Sequence, residues 1–230
     1  MRAALTDGLA QRGLTLTDRQ VDQFCEFGRL LIEKNQVMNL TAITEPTAVA
    51  QLHFLDSLAV LQAADCRGKT VIDVGCGAGF PGVPMAIAEP TAQVTLLDSL
   101  QKRMNWLKEI LPGLGVDAAV VAARAEEYVA QHRECYDLAV SRAVARLNIL
   151  CELCLPYVKV GGKFLALQGA MTHEEVDEAQ TAIATLGGKV AGIYEYPVAD
   201  AVHRIVIIEK VRPPPTPYPR KFAKIKQSPL

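Results

Sequence analysis

The amino-acid sequence predicts an α/β protein built on a doubly wound, mostly parallel sheet, for three reasons. Short apolar segments of strand type alternate with helical segments from residue 70 onward, a pattern typical of parallel strands joined by crossover helices. A glycine-rich segment follows the first strand, where this fold class binds ligands. Only six residues separate the last two strand segments, too few for a crossover, so we expect an antiparallel hairpin there.

The elements are expected in the following order. Residues 18–34 form an amphipathic helix in which Asp18 is the N-cap, and Pro46 begins a second helix that ends near Ala64. After these N-terminal helices, strands are predicted at 70–74, 93–97, 118–121, 136–140, 163–167, 191–196 and 203–209. Helices between the strands are predicted at 84–88, 102–111, 147–158 and 174–186, with a break at Pro112-Gly113.

The length and composition predict one principal domain with a full core. The chain has 230 residues, half of them hydrophobic and 21% charged. We divide it into an N-terminal helical segment (1–64), a core domain (65–210) and a C-terminal tail (211–230). The N-terminus lacks a signal-peptide core and no apolar run approaches the ~18 residues of a membrane span, so we expect a cytoplasmic monomer without membrane contact. The six cysteines suggest reduced thiols and no metal site.

The C-terminal tail concentrates positive charge. It holds five basic residues and no acidic one, so the other 210 residues carry a net charge of −6, although the whole chain carries −1. The three prolines from Pro213 exclude a helix at its start. We expect a mobile tail that contacts an anionic partner and that has little influence on ligand affinity in the core domain. The alternative is that the tail folds back on the acidic body.

The most informative motif is the glycine-rich loop after the first strand. Gly75, Gly77 and Gly79 follow Val74 at intervals of two, which allows a sharp turn and a close approach of the backbone to a ligand. The second strand leads to Asp98, 23 residues after Gly75, where a carboxylate can bind both hydroxyls of a ribose. These features predict a cofactor that contains adenosine.

Two adenosine cofactors are compatible with this loop. Residues 77–82 fit the G-x-G-x-x-G pattern of NAD-dependent oxidoreductases, which is a weak signal alone. Read from the strand end, the loop is D-x-G-x-G-x-G beginning at Asp73, which is the common S-adenosylmethionine loop. The closing hairpin and the roughly 70 residues before the first strand also favour S-adenosylmethionine, because NAD domains tend to begin near the N-terminus and to have six parallel strands. The prediction is a methyltransferase.

The segment after the fourth strand indicates what the target atom requires. It reads Ser141-Arg142-Ala143 and lacks the D/N-P-P-Y/F/W motif of amine methylation, and the chain has no Pro-Cys nucleophile for pyrimidine C5. A ring nitrogen with a free lone pair, such as purine N7, needs neither group and no general base. Catalysis would then be chiefly positioning, with Arg142 gripping the guanine or a phosphate. Alternatively, Arg142 forms a salt bridge with an acidic neighbour.

Several stretches resemble the family of bacterial small-subunit ribosomal RNA methyltransferase G, also called glucose-inhibited division protein B. They follow one another in consistent order over about residues 35–226. The extended loop IDVGCGAGFPGVP and the block LLDSLxKR are the most specific. The other stretches are Asn39-Leu40-Thr41, His53-Phe54-Leu55-Asp56-Ser57, Ala125-Glu126-Glu127, Ser141-Arg142-Ala143 and Tyr218-Pro219-Arg220-Lys221.

The resemblance implies a Rossmann-like class I methyltransferase that acts on guanine N7 in the 530 loop of 16S ribosomal RNA, in the small subunit or its precursor. The candidate cofactor residues, from the loop and the resemblance together, are Gly75, Gly77, Gly79, Phe80, Asp98, Ser99, Ala125, Glu126 and Arg142. The candidate RNA-binding residues are Lys102, Arg103, Arg220 and Lys221. An alternative from another class is a non-enzymatic RNA-binding module that has kept a cofactor fold.

Four further side chains have two possible roles each. His53 lies among apolar neighbours on a predicted helix, so a structural role is preferred to a catalytic one. Trp106 is expected in the core rather than as a platform for base stacking. Lys102 and Arg103 begin a helix, where positive charge opposes the helix dipole, so they contact either RNA phosphates or solvent.

Overall fold

Seven strands form one sheet in the computed structural model, which describes residues 1–142, 145–169 and 173–230. The strands are β1 (Thr70–Val74), β2 (Gln93–Asp98), β3 (Ala118–Ala122), β4 (Tyr136–Ser141), β5 (Val158–Gln168), β6 (Gly188–Val198) and β7 (Ala201–Lys210). Their order in the sheet is β3-β2-β1-β4-β5-β7-β6. Strands β1 to β5 are parallel, and β7 is antiparallel to both β5 and β6, which confirms the predicted sheet and its closing hairpin.

Helices cover both faces of this sheet. They are α1 (Arg2–Gln11), α2 (Asp18–Asn35), α3 (Pro46–Val49), α4 (Asp56–Ala63), α5 (Gly82–Ala88), α6 (Gln101–Leu114), α7 (Ala125–Tyr128), α8 (Leu147–Cys154), α9 (His173–Glu178), α10 (Gln180–Thr185) and α11 (Phe222–Gln227). Helices α2, α4, α5 and α6 contribute to the core on one face, and α8 and α10 to the core on the other. In the described part of the chain, none of the helices could cross a membrane.

The N-terminal helices share one core with the sheet. Leu5 of α1 and Phe24 of α2 have no exposed surface and belong to the same cluster as Leu96 of β2. The rings of Phe24 and Phe54 lie 5.0 Å apart. The sequence pattern does not predict α1, because its buried residues Leu5 and Leu9 provide only one turn of helical periodicity. The division of the chain after residue 64 stays a prediction.

Side-chain capping and proline decide two helix boundaries. Helix α2 is capped by Thr17, whose side chain forms a capping box with Gln20, so the prediction of Asp18 as the cap is wrong. Asp18 occupies the first helical position instead. Helix α8 ends at Cys154, earlier than predicted, and continues as a single tight turn that contains Pro156.

Helix α6 does not break at the predicted position. It continues through Pro112 to Leu114, which is buried, and ends where Gly115 adopts a left-handed conformation. Core packing of the last turn therefore outweighs the loss of one hydrogen bond at the proline. On the same helix, Trp106 is buried and stacks with Phe27 at a centroid distance of 6.3 Å, which confirms its expected core role.

The predicted helix over residues 46–64 contains one wide turn. A π-helical segment, Ala50–Leu55, separates α3 from α4. Because the wide turn rotates the chain relative to a regular helix, the polar side chains of His53 and Asp56 are buried together with their apolar neighbours. Such turns are frequent at functional sites, and this one directs His53 and Asp56 inward.

The C-terminal tail packs against the domain and ends in α11. Arg220 pairs with Glu152 of α8, Ile225 has no exposed surface, and Asn148 donates a hydrogen bond to the carbonyl of Leu230. The expectation of a mobile tail is wrong for this structure, and the alternative of a tail that folds back is confirmed. Two local contacts add to the attraction between the basic tail and the acidic body. The buried carboxylate of Glu152 pairs with Arg220, and the side chain of Ile225 is buried.

Candidate cofactor and acceptor site

The glycine loop lies at the carboxyl end of β1. Gly75, Gly77 and Gly79 have φ angles of +75°, +56° and +96°, a region that glycine occupies without strain. A Cβ atom at Gly77 would meet only the tip of Arg103, at 3.6 Å, whereas a Cβ atom at Gly79 would collide with Val83. The loop therefore leaves open space at Gly77 and packs tightly against α5 at Gly79.

Asp98 at the end of β2 holds this loop in place. One of its carboxylate oxygens accepts a hydrogen bond from the amide of Gly77 at 3.0 Å, and the other accepts from Leu100 at 2.8 Å. The amide of Gly75 donates to the carbonyl of Leu97 at 2.8 Å. Asp98 thus shapes the loop in addition to lying where ribose hydroxyls are predicted to bind.

A cavity of about 190 Å³ opens between the glycine loop, the end of β2 and α7. Its lining is mainly apolar and also includes the acidic residues Asp98 and Glu126 and the basic residue Arg124. The predicted cofactor residues that line it are Gly75, Asp98, Ser99, Ala125 and Glu126. The predicted cofactor residues that lie outside its lining are Gly77, Gly79, Phe80 and Arg142. The structure therefore brings the strand-end residues together in one cavity and places the side chains of Phe80 and Arg142 outside it.

Phe222 of the tail is a residue of this cavity that the sequence analysis misses. It lines the cavity together with the glycine loop, and its amide donates to Glu126 at 3.3 Å. The guanidinium carbon of Arg124 lies 5.8 Å from the centre of the Phe222 ring. The tail has two aromatic residues, Tyr218 and Phe222, and nothing in the local pattern indicates where either one packs.

Asp73 is buried beneath the loop at the end of β1. Its Oδ2 accepts from the amide of Gly82 at 2.7 Å, while its Oδ1 has no hydrogen-bond partner among the described residues. Burial raises the pKa of Asp73 to about 7, against the opposing effects of the Gly82 amide and of Arg142. An unpaired buried carboxylate oxygen is uncommon in proteins and suits a position next to a bound cation.

A second cluster surrounds Asp56 beside the carboxyl end of β4. Its Oδ1 accepts from the hydroxyl of Tyr196 at 2.9 Å and lies 2.8 Å from Nδ1 of His203. Its Oδ2 accepts from Arg142 at 2.9 Å. Burial alone would raise the pKa of Asp56, but its bonds with His203 and Arg142 outweigh burial and lower the pKa. Asp56 is therefore an anion that orders three side chains from distant parts of the chain.

His53 supports the guanidinium group of Arg142. Its Nδ1 lies 3.1 Å from Nη2 of Arg142, and its Nε2 lies 2.8 Å from the hydroxyl of Thr41. Because a guanidinium can only donate, Nδ1 accepts and the ring proton is on Nε2. Burial and the charge of Arg142 lower the pKa of His53 to about 4, so the ring is neutral at physiological pH. These contacts agree with the structural role that the sequence favours.

Phe80 and Arg142 belong to this second cluster. The ring of Phe80 stacks on His53 with a centroid distance of 4.5 Å, and the guanidinium carbon of Arg142 lies 4.9 Å from the centre of the same ring. Arg142 also forms a salt bridge with Asp56. A salt bridge with an acidic neighbour is the alternative role that the sequence offers for Arg142. Ala143, the next residue of the matching stretch, lies outside the described residues.

The predicted RNA-binding residues differ in their freedom to contact a phosphate. Lys102 and Lys221 are exposed. Arg103 is partly buried and donates to the carbonyl of Asn39 at 3.1 Å. Arg220 is paired with Glu152 and has only 21% of its side chain exposed, so its guanidinium serves the packing of the tail.

The fold and the site together define a class of protein. A parallel sheet closed by a hairpin, a glycine loop after β1 and an acidic residue after β2 characterise Rossmann-like methyltransferases, and solved structures of such enzymes are similar. A mutant form of the 16S rRNA (adenine(1408)-N(1))-methyltransferase from Catenulisporales acidiphilia matches 70% of this chain and 92% of its own, with a TM-score of 0.56 at 19% identity. TrmN from Thermus thermophilus matches 68% of this chain and 48% of its own, with a TM-score of 0.55 at 20% identity. Such similarity shows the fold.

The chain belongs to the family described as rRNA small subunit methyltransferase G, which matches residues 20–200. Relatives named Ribosomal RNA small subunit methyltransferase G are similar over nearly their whole length. The protein from Alkaliphilus metalliredigens is 47% identical over 98% of this chain and 97% of its own. The protein from Acetivibrio thermocellus is 43% identical over 100% and 97%, and that from Brevibacillus brevis is 45% identical over 96% of each.

Proposed function

We propose that this protein transfers the methyl group of S-adenosylmethionine to N7 of one guanine in the 530 loop of 16S ribosomal RNA, in the small subunit or its precursor. Family membership supports methyl transfer to ribosomal RNA. The choice of a ring nitrogen rests on one observation: the titratable groups around Arg142, namely His53, Asp56, Tyr196 and His203, each have a hydrogen-bond partner within the protein. Guanine N7 carries a lone pair at neutral pH, so its methylation requires no general base.

The residues of the first cavity fit S-adenosylmethionine. The carboxylate of Asp98 suits the ribose hydroxyls, and Glu126 with the Phe222 ring suits the edge and face of an adenine. The unpaired Oδ1 of Asp73 suits the positive charge of a sulfonium or an ammonium group nearby, because such a charge would favour the ionised carboxylate.

The contribution of the protein to the reaction is positioning. Bound S-adenosylmethionine supplies an electrophilic methyl group on a sulfonium sulfur. Strands β1 and β4 are neighbours, so the glycine loop after β1 and Arg142 after β4 lie at one edge of the sheet. The guanidinium of Arg142 is fixed by Asp56 and His53 and orients the base. Attack by the N7 lone pair would break the sulfur–carbon bond and leave the positive charge on the methylated guanine, so no residue of the protein would need to take up a proton.

The RNA-binding surface in this proposal combines α6 with the tail. Lys102 on α6 and Lys221, Lys224 and Lys226 on the tail are exposed and can neutralise phosphates. Arg220 contributes indirectly, because its bond with Glu152 holds these lysines against the domain. Binding of RNA and binding of cofactor would then involve different side chains of the same tail.

The proposal is tested by incubating the protein with labelled S-adenosylmethionine and either deproteinised 16S RNA or intact small subunits, and by mapping the labelled nucleotide. We expect one N7-methylguanosine in the 530 loop. A non-enzymatic RNA-binding module would bind both the cofactor and RNA and leave the RNA unlabelled. Label at another atom or in another helix of the RNA would contradict the proposed specificity.

A further inference from the structure

A second cavity, of about 250 Å³, lies beside Arg142 at the carboxyl edge of the sheet. Its lining includes Arg142, Leu167, Gln168, Gly169, Tyr196 and His203. Arg142 follows β4, Gln168 ends the parallel neighbour β5, and His203 is near the start of β7. The cavity is therefore separated from the cofactor cavity by the junction of β1 and β4, which is where the methyl donor and its acceptor must meet in this fold.

Gln168 is the unusual residue of this cavity. Its side-chain Nε2 is shielded from solvent and has no hydrogen-bond partner among the described residues. Buried amide donors are nearly always paired in proteins, because an unpaired donor loses its water without a replacement. The rest of the lining is fixed: Asp56 holds Arg142 and His203 in place, and Tyr196 donates to the same carboxylate. Because Nε2 is shielded, the Gln168 amide has to turn toward the cavity to reach a ligand, and it gains a hydrogen bond when a ligand there presents an acceptor.

We propose that this cavity receives the target guanine and that Gln168 recognises its Watson–Crick edge; the inference rests on the proposed function. The amide Nε2–H donates to O6 of the base, and the amide Oε1 accepts from N1–H, so one side chain matches an adjacent acceptor and donor. This pairing leaves N7 free on the far side of O6, where the methyl group must arrive. Arg142 adds a positive charge that favours O6 over the exocyclic amine of adenine.

The proposal is tested with RNA substrates that differ in the target base. In 2-aminopurine the N7 and the 2-amino group remain, but O6 and the N1 proton are absent, whereas inosine keeps O6 and N1–H. We expect the unsubstituted protein to methylate guanine and inosine at similar kcat/KM and 2-aminopurine about 10 to 100 times more slowly. Gln168→Ala should slow methylation of guanine by about the same factor and should reduce the preference for guanine over 2-aminopurine to the part that Arg142 supplies.

Two controls keep the outcomes separate. Gln168→Met, which keeps the side-chain length without the amide, should behave like Gln168→Ala, and Gln93→Ala on the exposed start of β2 should leave all three rates unchanged. Both Gln168 variants should bind S-adenosylmethionine as the unsubstituted protein does. If the Gln168 variants keep the full preference for guanine, the cavity assignment is overturned while the proposed function stands. If the unsubstituted protein methylates no guanine at N7, the proposed function fails as well, whatever the variants do.

Discussion

Arg220 of the C-terminal tail donates to both carboxylate oxygens of Glu152, a residue of α8 with no exposed side-chain surface. Its Nε lies 2.8 Å from Oε1 and its Nη2 lies 2.5 Å from Oε2, and the backbone amide of Arg220 donates to Oε1 as well. Such a bidentate arrangement is the geometry in which a guanidinium and a carboxylate interact most strongly. The tail is therefore a structural part of the domain in this protein.

The first prediction concerns stability. Arg220→Met should lower the free energy of unfolding by about 3–5 kcal/mol, because Glu152 would remain buried without its partner. Urea denaturation measures the loss, and Lys224→Met provides a matched control on an exposed residue of the same tail. The double variant Arg220→Met with Glu152→Leu should recover much of the stability, since no buried charge remains. An unchanged midpoint for Arg220→Met would mean that the tail is detached in solution.

The second prediction concerns cofactor affinity. Phe222→Ala should raise the Kd for S-adenosylmethionine about 5- to 30-fold, because an aromatic wall of the cavity is lost. Asp98→Ala should weaken binding to a similar or larger extent by removing a charge-assisted hydrogen bond and loosening the loop. Titration calorimetry measures both, with Lys226→Ala as the control. If deletion of residues 212–230 left the Kd unchanged, the tail would have no role in this cavity, as the sequence alone suggests.

The third prediction concerns RNA binding. Replacement of Lys221, Lys224 and Lys226 by glutamine should flatten the dependence of log K on log salt by about 0.7–0.9 for each phosphate that is no longer neutralised. The affinity for S-adenosylmethionine should stay the same, because these side chains are exposed and the packing of the tail is preserved. Lys189→Gln on the edge strand β6 serves as the control. If the salt slope of the triple variant were unaltered, the RNA-binding surface would lie elsewhere, around Lys102 on α6.

The fourth prediction concerns the stability of the cofactor-free protein as a function of pH. The pKa of Asp73 is raised to about 7, so the folded state keeps a proton that the unfolded state releases near pH 4. Asp73 therefore makes unfolding progressively easier as the pH rises from about 4 to 7. Asp73→Asn should remove this effect. The free energy of unfolding of the variant should therefore increase relative to that of the unsubstituted protein as the pH rises from about 4 to 7. Thermal denaturation checks this, with the exposed Asp7→Asn as the control.

The fifth prediction concerns the absence of a general base. The pKa of His53 is lowered to about 4, so His53 stays neutral between pH 6 and 9. We expect kcat at saturating S-adenosylmethionine, where the bound cation keeps Asp73 ionised, to show no ionisation of a base in that range. His53→Gln should lower the rate by disturbing Arg142 while leaving the shape of the profile unchanged. A limb with a pKa near 7 that disappears in His53→Gln would show that the histidine acts as a base.

Local pattern was sufficient for the sheet and for the position of the glycine loop. The strand from Thr70 to Val74 is confirmed at both ends, because a run of apolar residues that ends in glycine has few alternative conformations. The loop glycines and Asp98 follow directly from that strand and the next one. The hairpin of β6 and β7 is dictated by its short connection. These features depend on residues that are close in the chain, so they can be predicted from the sequence alone.

The cluster around Arg142 was decided by tertiary structure. Asp56 meets Arg142, Tyr196 and His203 over separations of 86, 140 and 147 residues, and Arg220 meets Glu152 over 68 residues. No periodicity links such residues, because their contacts depend on how the hairpin and the N-terminal helices pack on the sheet. The π-helical turn that buries His53 and Asp56 has the same origin. The sequence by itself therefore determined the class of protein and its glycine loop, whereas packing between distant segments decided which side chains surround Arg142 and why Phe222 of the basic tail lines the cavity beside the loop.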